Sequence, residues 1–383
     1  MRRVVVFLSV TALLTCSLTG LGIVPSARAM EVGGKLDVSV SAQLQDDGSF
    51  DTEVVESLDL ELFLPPLGNN TEMRVGFLLT KPIQGLFAGN EPTYFAKKLY
   101  LRHRGERFHL TVGRQPVSWS FGSLLNLVDY TLGAETLKED STGKYIDAIG
   151  VYIPVNWNSG VDAVLSFPRG FSTETKEMKW GVRGRFGVRR YDLTVSYVRE
   201  SEAAAGGGSG DLMSLASLFP RQRLGLTLKG DVGNFGVYGA LGYYFDTGVD
   251  SSRSYLVGVD YSRSIDYYRK LTLQLEYLGI QPGNLDPTVK ANLLNLDGDD
   301  HQLDLLTASV VYPIDDFSSV SLVTVVSLDD GSFLAAPVYR NALPGDIDLT
   351  VGVTAFFGRD GSLLAPGVFV PKAVFTVGLS YAF

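Results

Sequence analysis

From residue 35 onward the chain keeps returning to one pattern, stretches of about ten residues in which apolar and polar side chains alternate. Between Lys35 and Leu44, the residues Leu36, Val38, Val40, Ala42 and Leu44 fall on one face of an extended strand. Asp37, Ser39, Ser41 and Gln43 fall on the other, because successive side chains of a strand point to opposite sides. The pattern recurs at Leu58/Leu60/Leu62, Met73/Val75/Phe77/Leu79, Tyr191/Leu193/Val195/Tyr197, Tyr255/Val257/Val259/Tyr261 and Ile347/Leu349/Val351/Val353. Eighteen candidate strands follow: 34–45, 52–64, 71–80, 93–104, 107–114, 144–154, 160–167, 178–188, 190–199, 221–230, 234–246, 252–264, 268–280, 300–312, 317–328, 332–341, 346–357 and 371–383.

A soluble β-sandwich also alternates, so the choice of architecture rests on two further features. Tyr or Phe stands at the ends of the apolar rows, as at Tyr191 with Tyr197 and Tyr255 with Tyr261. That is where interfacial aromatic girdles of a membrane barrel sit. The connections add parity. Gly105-Glu106, Asn156-Trp157-Asn158, Asp231-Val232-Gly233 and Ala342-Leu343-Pro344-Gly345 are short and even-numbered, whereas the longest connections (115–143, 200–220, 281–299) are odd-numbered. Short turns at one rim and long loops at the other, with an even strand count, describe a transmembrane barrel. Hydrophobic content of 45% and the absence of a helix-length apolar run after Met30 leave no room for a set of membrane helices. The predicted fold is all-β: a transmembrane antiparallel up-and-down barrel of about eighteen strands, sixteen being the other count, closed first to last.

The N-terminus reads separately. Arg2 and Arg3 precede an apolar stretch from Val4 to Val24, and Ala27-Arg28-Ala29 offers an A-x-A cleavage site. This predicts a secretory signal peptide over residues 1–29 and a barrel over 30–383. An uncleaved anchor helix is the competing reading. Cys16, the one cysteine, lies in the stretch to be removed, and Leu14-Thr15 before it argues against a lipidated cysteine.

The last strand alternates five times, through Phe375, Val377, Leu379, Tyr381 and Phe383. It resembles the C-terminal recognition strand of bacterial outer-membrane proteins, which implies that a barrel-assembly machinery reads it. Gly113-Arg114-Gln115-Pro116-Val117-Ser118-Trp119-Ser120-Phe121-Gly122, with Leu125-Asn126-Leu127-Val128-Asp129, is similar to a segment of several porin-like families, where it opens a long loop. The final hairpin with Phe357-Gly358-Arg359-Asp360-Gly361 is similar too. The chain as a whole resembles the porin-like outer-membrane barrels, which implies a channel for small hydrophilic solutes or ions, set in outer-membrane lipid and compatible with a homotrimer.

If the apolar rows face lipid, the alternate residues line a water-filled lumen. Strands three to ten then offer Arg74, Lys98, Arg102, His109, Lys179, Arg183, Arg185, Arg223 and Lys229, against Asp162 and Asp192. The remaining wall offers Asp37, Asp59, Glu61, Asp260, Glu276, Asp346 and Asp348, against Lys270. Scattered charge on a solvated wall is the plain reading, and a transverse field across the pore is the sharper one. Segment 115–143 is either an external lid or a constriction loop. In the second case Trp119, Phe121, Leu124 and Leu125 pack on the wall, and Asp129, Glu135, Glu139 and Asp140 stand near the opening.

Two other function classes compete with a channel. A hydrolase needs a nucleophile beside a base. Of the histidines, His103 and His109 flank a periplasmic turn, and only His301, with Asp299, Asp300 and Asp304, sits at the outer rim, where a solvated loop explains it better. A barrel for polysaccharide export or surface anchoring would show inward aromatic tracks, for which Tyr94, Tyr100, Tyr238 and Tyr244 are candidates. No cofactor, metal ligand set or P-loop is expected, since residues 296–300 lack EF-hand spacing. A net charge of −9 with mixed signs argues against nucleic acid. N-terminal sequencing of the exported protein should find its first residue near Met30, and a chain still beginning at Met1 would favour the anchor helix.

Overall fold

The computed structural model describes residues 30–83, 93–117, 119, 145–167, 171, 178–199, 222–246, 249–267, 269–281, 302–367 and 370–383. Residues 1–29, for which the sequence predicts a signal peptide, lie outside this set. Eighteen strands succeed one another in chain order. They run β1 Glu31–Leu44, β2 Phe50–Phe63, β3 Thr71–Thr80, β4 Thr93–Arg104, β5 His109–Pro116, β6 Tyr145–Asn156, β7 Ser159–Phe167, β8 Lys179–Val188 and β9 Tyr191–Arg199. The second half is β10 Gln222–Val232, β11 Phe235–Asp246, β12 Val249–Ser264, β13 Lys270–Ile280, β14 Leu303–Pro313, β15 Ser318–Ser327, β16 Phe333–Leu343, β17 Ile347–Phe357 and β18 Ala373–Ala382. Each is antiparallel to its neighbours, and β1 also pairs with β18, so the sheet closes on itself. The eighteen-strand count holds. Boundaries move by a few residues: β5 starts at His109, and β12 extends back to Val249.

Closure is a ten-pair ladder from Lys35↔Ala382 to Leu44↔Ala373. Beyond it, the Gly34 N–H donates to the Phe383 carbonyl at 2.9 Å, and the Phe383 N–H to the Gly34 carbonyl at 3.0 Å. The seam is pinned at its other end as well, where Lys372 reaches Asp46 Oδ1 at 3.1 Å. The predicted last-strand row, Phe375 to Phe383, lies on the outer surface, each residue 44–53% exposed. Leu36, Val38, Val40 and Ala42 of β1 stand directly beside it in register.

Parity is preserved. The connections at one rim, such as 105–108, 157–158, 189–190 and 233–234, are short, and the strand ends joined by the longest ones (117–144, 200–221, 281–302) lie at the other rim. The turns use their own side chains. Asp315 accepts from the Phe317 and Ser318 N–H groups at 2.8 and 2.7 Å, an Asx turn that ends β14 and starts β15. The Phe317 amide, with that of Ser318 and the Ser318 hydroxyl, holds the Asp315 carboxyl below its ordinary range.

At Gly34 an added Cβ would lie 2.6 Å from Phe383 Cζ and 2.7 Å from the Asp59 carbonyl oxygen. Gly34→Val should therefore destabilise the closed barrel by about 1–3 kcal/mol, the usual cost of overpacking, read as a lower unfolding temperature in detergent. Asp315 gives a pH-dependent counterpart. With its pKa depressed on folding, its contribution is present above the unfolded carboxylate value of about 3.9 and is lost as pH falls through the folded value. Asp315→Ala should be less thermostable than wild type at pH 7, and the two unfolding temperatures should converge below about pH 3.9.

Candidate functional site

Alternation divides the wall. Apolar residues such as Leu224, Leu226 and Leu228 or Val257 and Leu275 are outward and exposed. Their sequence neighbours Arg223, Thr227, Ser254, Leu256 and Glu276 are inward and nearly without exposure. The candidate site is this inner wall.

Its densest charges lie on β2 to β4. Lys98 bonds to Glu61, and Lys97 to Asp59, both across β3. Gly76 stands between Glu61 and Lys98 in the ladder and carries no side chain to separate them. Lys97 faces inward because β4 bulges here: Gly76 pairs with Lys98 and Phe77 with Ala96, which leaves Lys97 as the extra residue. The bulge puts two successive lysines on the lumen side, and Lys97 is only 4% exposed. It also corrects one sequence expectation. Tyr94 shares its parity with Lys98, Tyr100 and Arg102, but beyond the bulge the faces exchange, and Tyr94 is 78% exposed on the outer surface.

Two clusters at the short-turn side of the lumen hold more cation than anion. Glu72 is shared by Arg74, Arg102 and Arg104 at 3.7, 3.3 and 3.2 Å. Asp162 is shared by Arg183 and Arg185 at 3.2 and 3.3 Å. Aromatic rings brace the cations from behind. Arg102 lies over Tyr100 at 5.2 Å, Arg185 over Tyr152 at 5.5 Å, Arg223 over Tyr244 at 5.5 Å, and Arg183 over Trp119 at 4.8 Å. Such stacking restrains the plane of a guanidinium.

Trp119 belongs to the long connection after β5, yet it is buried with Val117, Ile146, Ala148 and Val198 on the inner wall. A Cβ on Gly181 would lie 2.7 Å from its ring, so that glycine makes its seat. The start of the predicted constriction loop therefore lies inside the barrel. Asp129, Glu135, Glu139 and Asp140 lie outside the described residues, as does His301.

The acidic members of the predicted lumen set are dispersed. Glu276 Oε1 accepts from the Tyr238 hydroxyl at 2.6 Å, and Gln274 donates to the same hydroxyl. Asp260 lies over Gly236, Asp348 stands between Ala342 and Ser380 in register, and Lys229 is opposite Asp192. The two charged arcs are thus continuous at β2 to β4, where Asp59 and Glu61 meet lysines. Lys97 and Glu72 were not among the residues expected from sequence. Glu72 shares the inward row of Arg74 and was legible there, whereas Lys97 needed the bulge, whose one sequence trace is the doubled lysine. Of the histidines described, His103 shares a hydrogen bond of 3.0 Å with the Thr71 hydroxyl, and His109 packs on Tyr152.

The architecture is similar to that of OpdQ from Pseudomonas aeruginosa, with a TM-score of 0.58, 9% identity, and coverage of 92% of this chain and 98% of that one. The fold is that of a porin-type barrel. An engineered variant of the porin from Rhodopseudomonas blastica aligns over 93% of this chain and 100% of its own, at 12% identity and a TM-score of 0.49. No protein-family model and no curated protein matches the sequence. Within this porin-type barrel, Trp119→Ala would empty a buried seat, and by the usual cost of deleting a core Trp it should lower unfolding stability by about 3–5 kcal/mol, measurable by denaturant titration in detergent.

Proposed function

We propose that the chain is an outer-membrane channel through which small hydrophilic solutes or ions diffuse passively. The observation that carries this reading is the opposition of the two faces on a closed sheet. The outer face is an apolar belt that includes Leu224, Val257, Leu275, Val351 and Val377 at 38–60% exposure, while the inner face carries the ion pairs. A belt of that kind in water would be a large exposed apolar surface, which soluble monomers avoid. In a bilayer it is solvated by acyl chains, and the closed ladder leaves no edge unpaired. Export through a cleaved signal peptide and insertion guided by the Phe375–Phe383 strand fit this placement, with the short turns periplasmic and the long loops external. The N-terminal sequencing above tests the first part.

Selectivity in this reading comes from the lumen clusters. At Glu72 and Asp162 guanidinium groups outnumber carboxylates, which favours anions on that arc. The aromatic-track reading for polysaccharide loses Tyr94 to the outer face and keeps Tyr100, Tyr238 and Tyr244 inside. Permeation of a polymer is therefore less well supported than diffusion of small solutes.

Arg183→Gln with Arg185→Gln leaves Asp162 without its two cations. At a contact distance one unit charge in water is worth about 1 kcal/mol, so the anion-to-cation permeability ratio should fall roughly fivefold. Reversal potentials across a salt gradient in planar bilayers measure this directly. An unchanged ratio would remove these clusters from the selectivity of the pore.

A further inference from the structure

Among the described residues, the outer face of the barrel contains a concavity that the channel does not explain. Five residues form a row in register across β10 to β14: Leu228, Gly239, Val257, Tyr277 and Leu306. Only Gly239 lacks a side chain, and a Cβ there would meet nothing closer than the Leu256 carbonyl oxygen at 3.4 Å. In the next row toward the long loops, Tyr255 leans away from Leu241 and over Gly279. The result is a groove of about 850 Å³ over Gly239, walled by Leu226, Leu228, Leu241, Val257 and Leu275. That volume falls within the roughly 300–1,000 Å³ typical of ligand pockets.

A polar cluster holds Tyr255 in its leaning position. Its hydroxyl is 3.2 Å from that of Tyr277, which donates to Asp304 Oδ1 at 2.8 Å. Gln302 donates both to the Tyr255 hydroxyl and to Asp304 Oδ1 at 2.5 Å. The Asp304 N–H in turn donates to the Asp329 carboxylate at 3.0 Å. Tyr255 and Tyr277 also line the groove, so the cluster and the concavity form one surface feature, apolar below and hydrogen-bonding above. The chemistry of the upper part selects its occupant. Two phenol rings with a carboxamide and two carboxylates accept hydrogen bonds from hydroxyl groups and repel a bare anion.

We infer that this groove binds one acyl chain of a glycolipid whose saccharide hydroxyls engage the Tyr255–Tyr277–Gln302–Asp304 cluster. The inference rests on the membrane placement argued above. It adds a specific lipid site to what that placement requires, since a generic annulus would need neither the missing side chain at Gly239 nor the tethered Tyr255. The alternative occupant, a second copy of the barrel, is an outcome of the test.

The test uses the full mature chain in phosphatidylcholine nanodiscs doped with equal amounts of galactosyl diacylglycerol and phosphatidylglycerol, followed by native mass spectrometry of the released protein. Wild type should retain galactosyl diacylglycerol in preference to both phospholipids. Gly239→Leu, which fills the groove, should lower retention of that lipid about tenfold. Tyr277→Phe with Gln302→Ala should lower it about tenfold and remove the preference for the sugar head, as the loss of two hydrogen bonds implies. A milder Gly239→Ala should fall between wild type and Gly239→Leu, which separates groove filling from misfolding. Equal retention by wild type and Gly239→Leu, preference for phosphatidylglycerol, or a trimer with no lipid in the groove would overturn the inference while leaving the membrane placement intact. Failure of wild type to enter nanodiscs at all would overturn that placement and the inference together.

Discussion

Every other feature depends on the ladder between the first strand and the last. A sheet with an apolar outer face cannot end in a hydrocarbon phase, because each free N–H or C=O at an edge costs several kcal/mol there. The ten registered pairs from Lys35↔Ala382 to Leu44↔Ala373 remove both edges at once, and the reciprocal bonds between Gly34 and Phe383 carry the pairing to the C-terminal residue. Because the register is fixed, the apolar rows of β1 and β18 are contiguous, and the belt does not break at the seam.

Closure then dictates where chemistry can be placed. With one face committed to apolar contact, each charged side chain in a strand must use the alternate face or a rim, and neighbouring strands bring those charges together. The ion pairs across β3 and the two arginine clusters are results of this crowding. Where the pattern is broken, the break has a structural cause. The bulge in β4 turns Lys97 inward and Tyr94 outward, and the glycine at 181 admits Trp119 to the wall. On the outer surface the glycine at 239 makes a hollow instead of a filled row.

Much of this was legible in the sequence because a period of two is a local property. The strand count and the parity of the connections follow from alternation and short turns, and the same alternation marks Lys98, Arg102, Arg183, Arg185, Arg223 and Glu276 as candidates for the inner face. What the sequence did not reveal depends on contacts between strands. A bulge leaves almost no local trace, so the faces of Tyr94 and Lys97 could not be assigned by counting. The sharing of Asp162 by two arginines, and the bonds of Asp59 and Glu61 to β4, depend on register between strands distant in the chain. The lumen was thus readable as a list of charges, and its field only as an arrangement.

Conductance of the purified chain from Met30 onward in a planar bilayer tests the closed, water-filled barrel most directly. Discrete unitary current steps that are ohmic at low voltage are the predicted result. A chain that enters the bilayer, as judged by protease protection of its strands, and yet passes no current steps over a wide range of voltage and salt would contradict it.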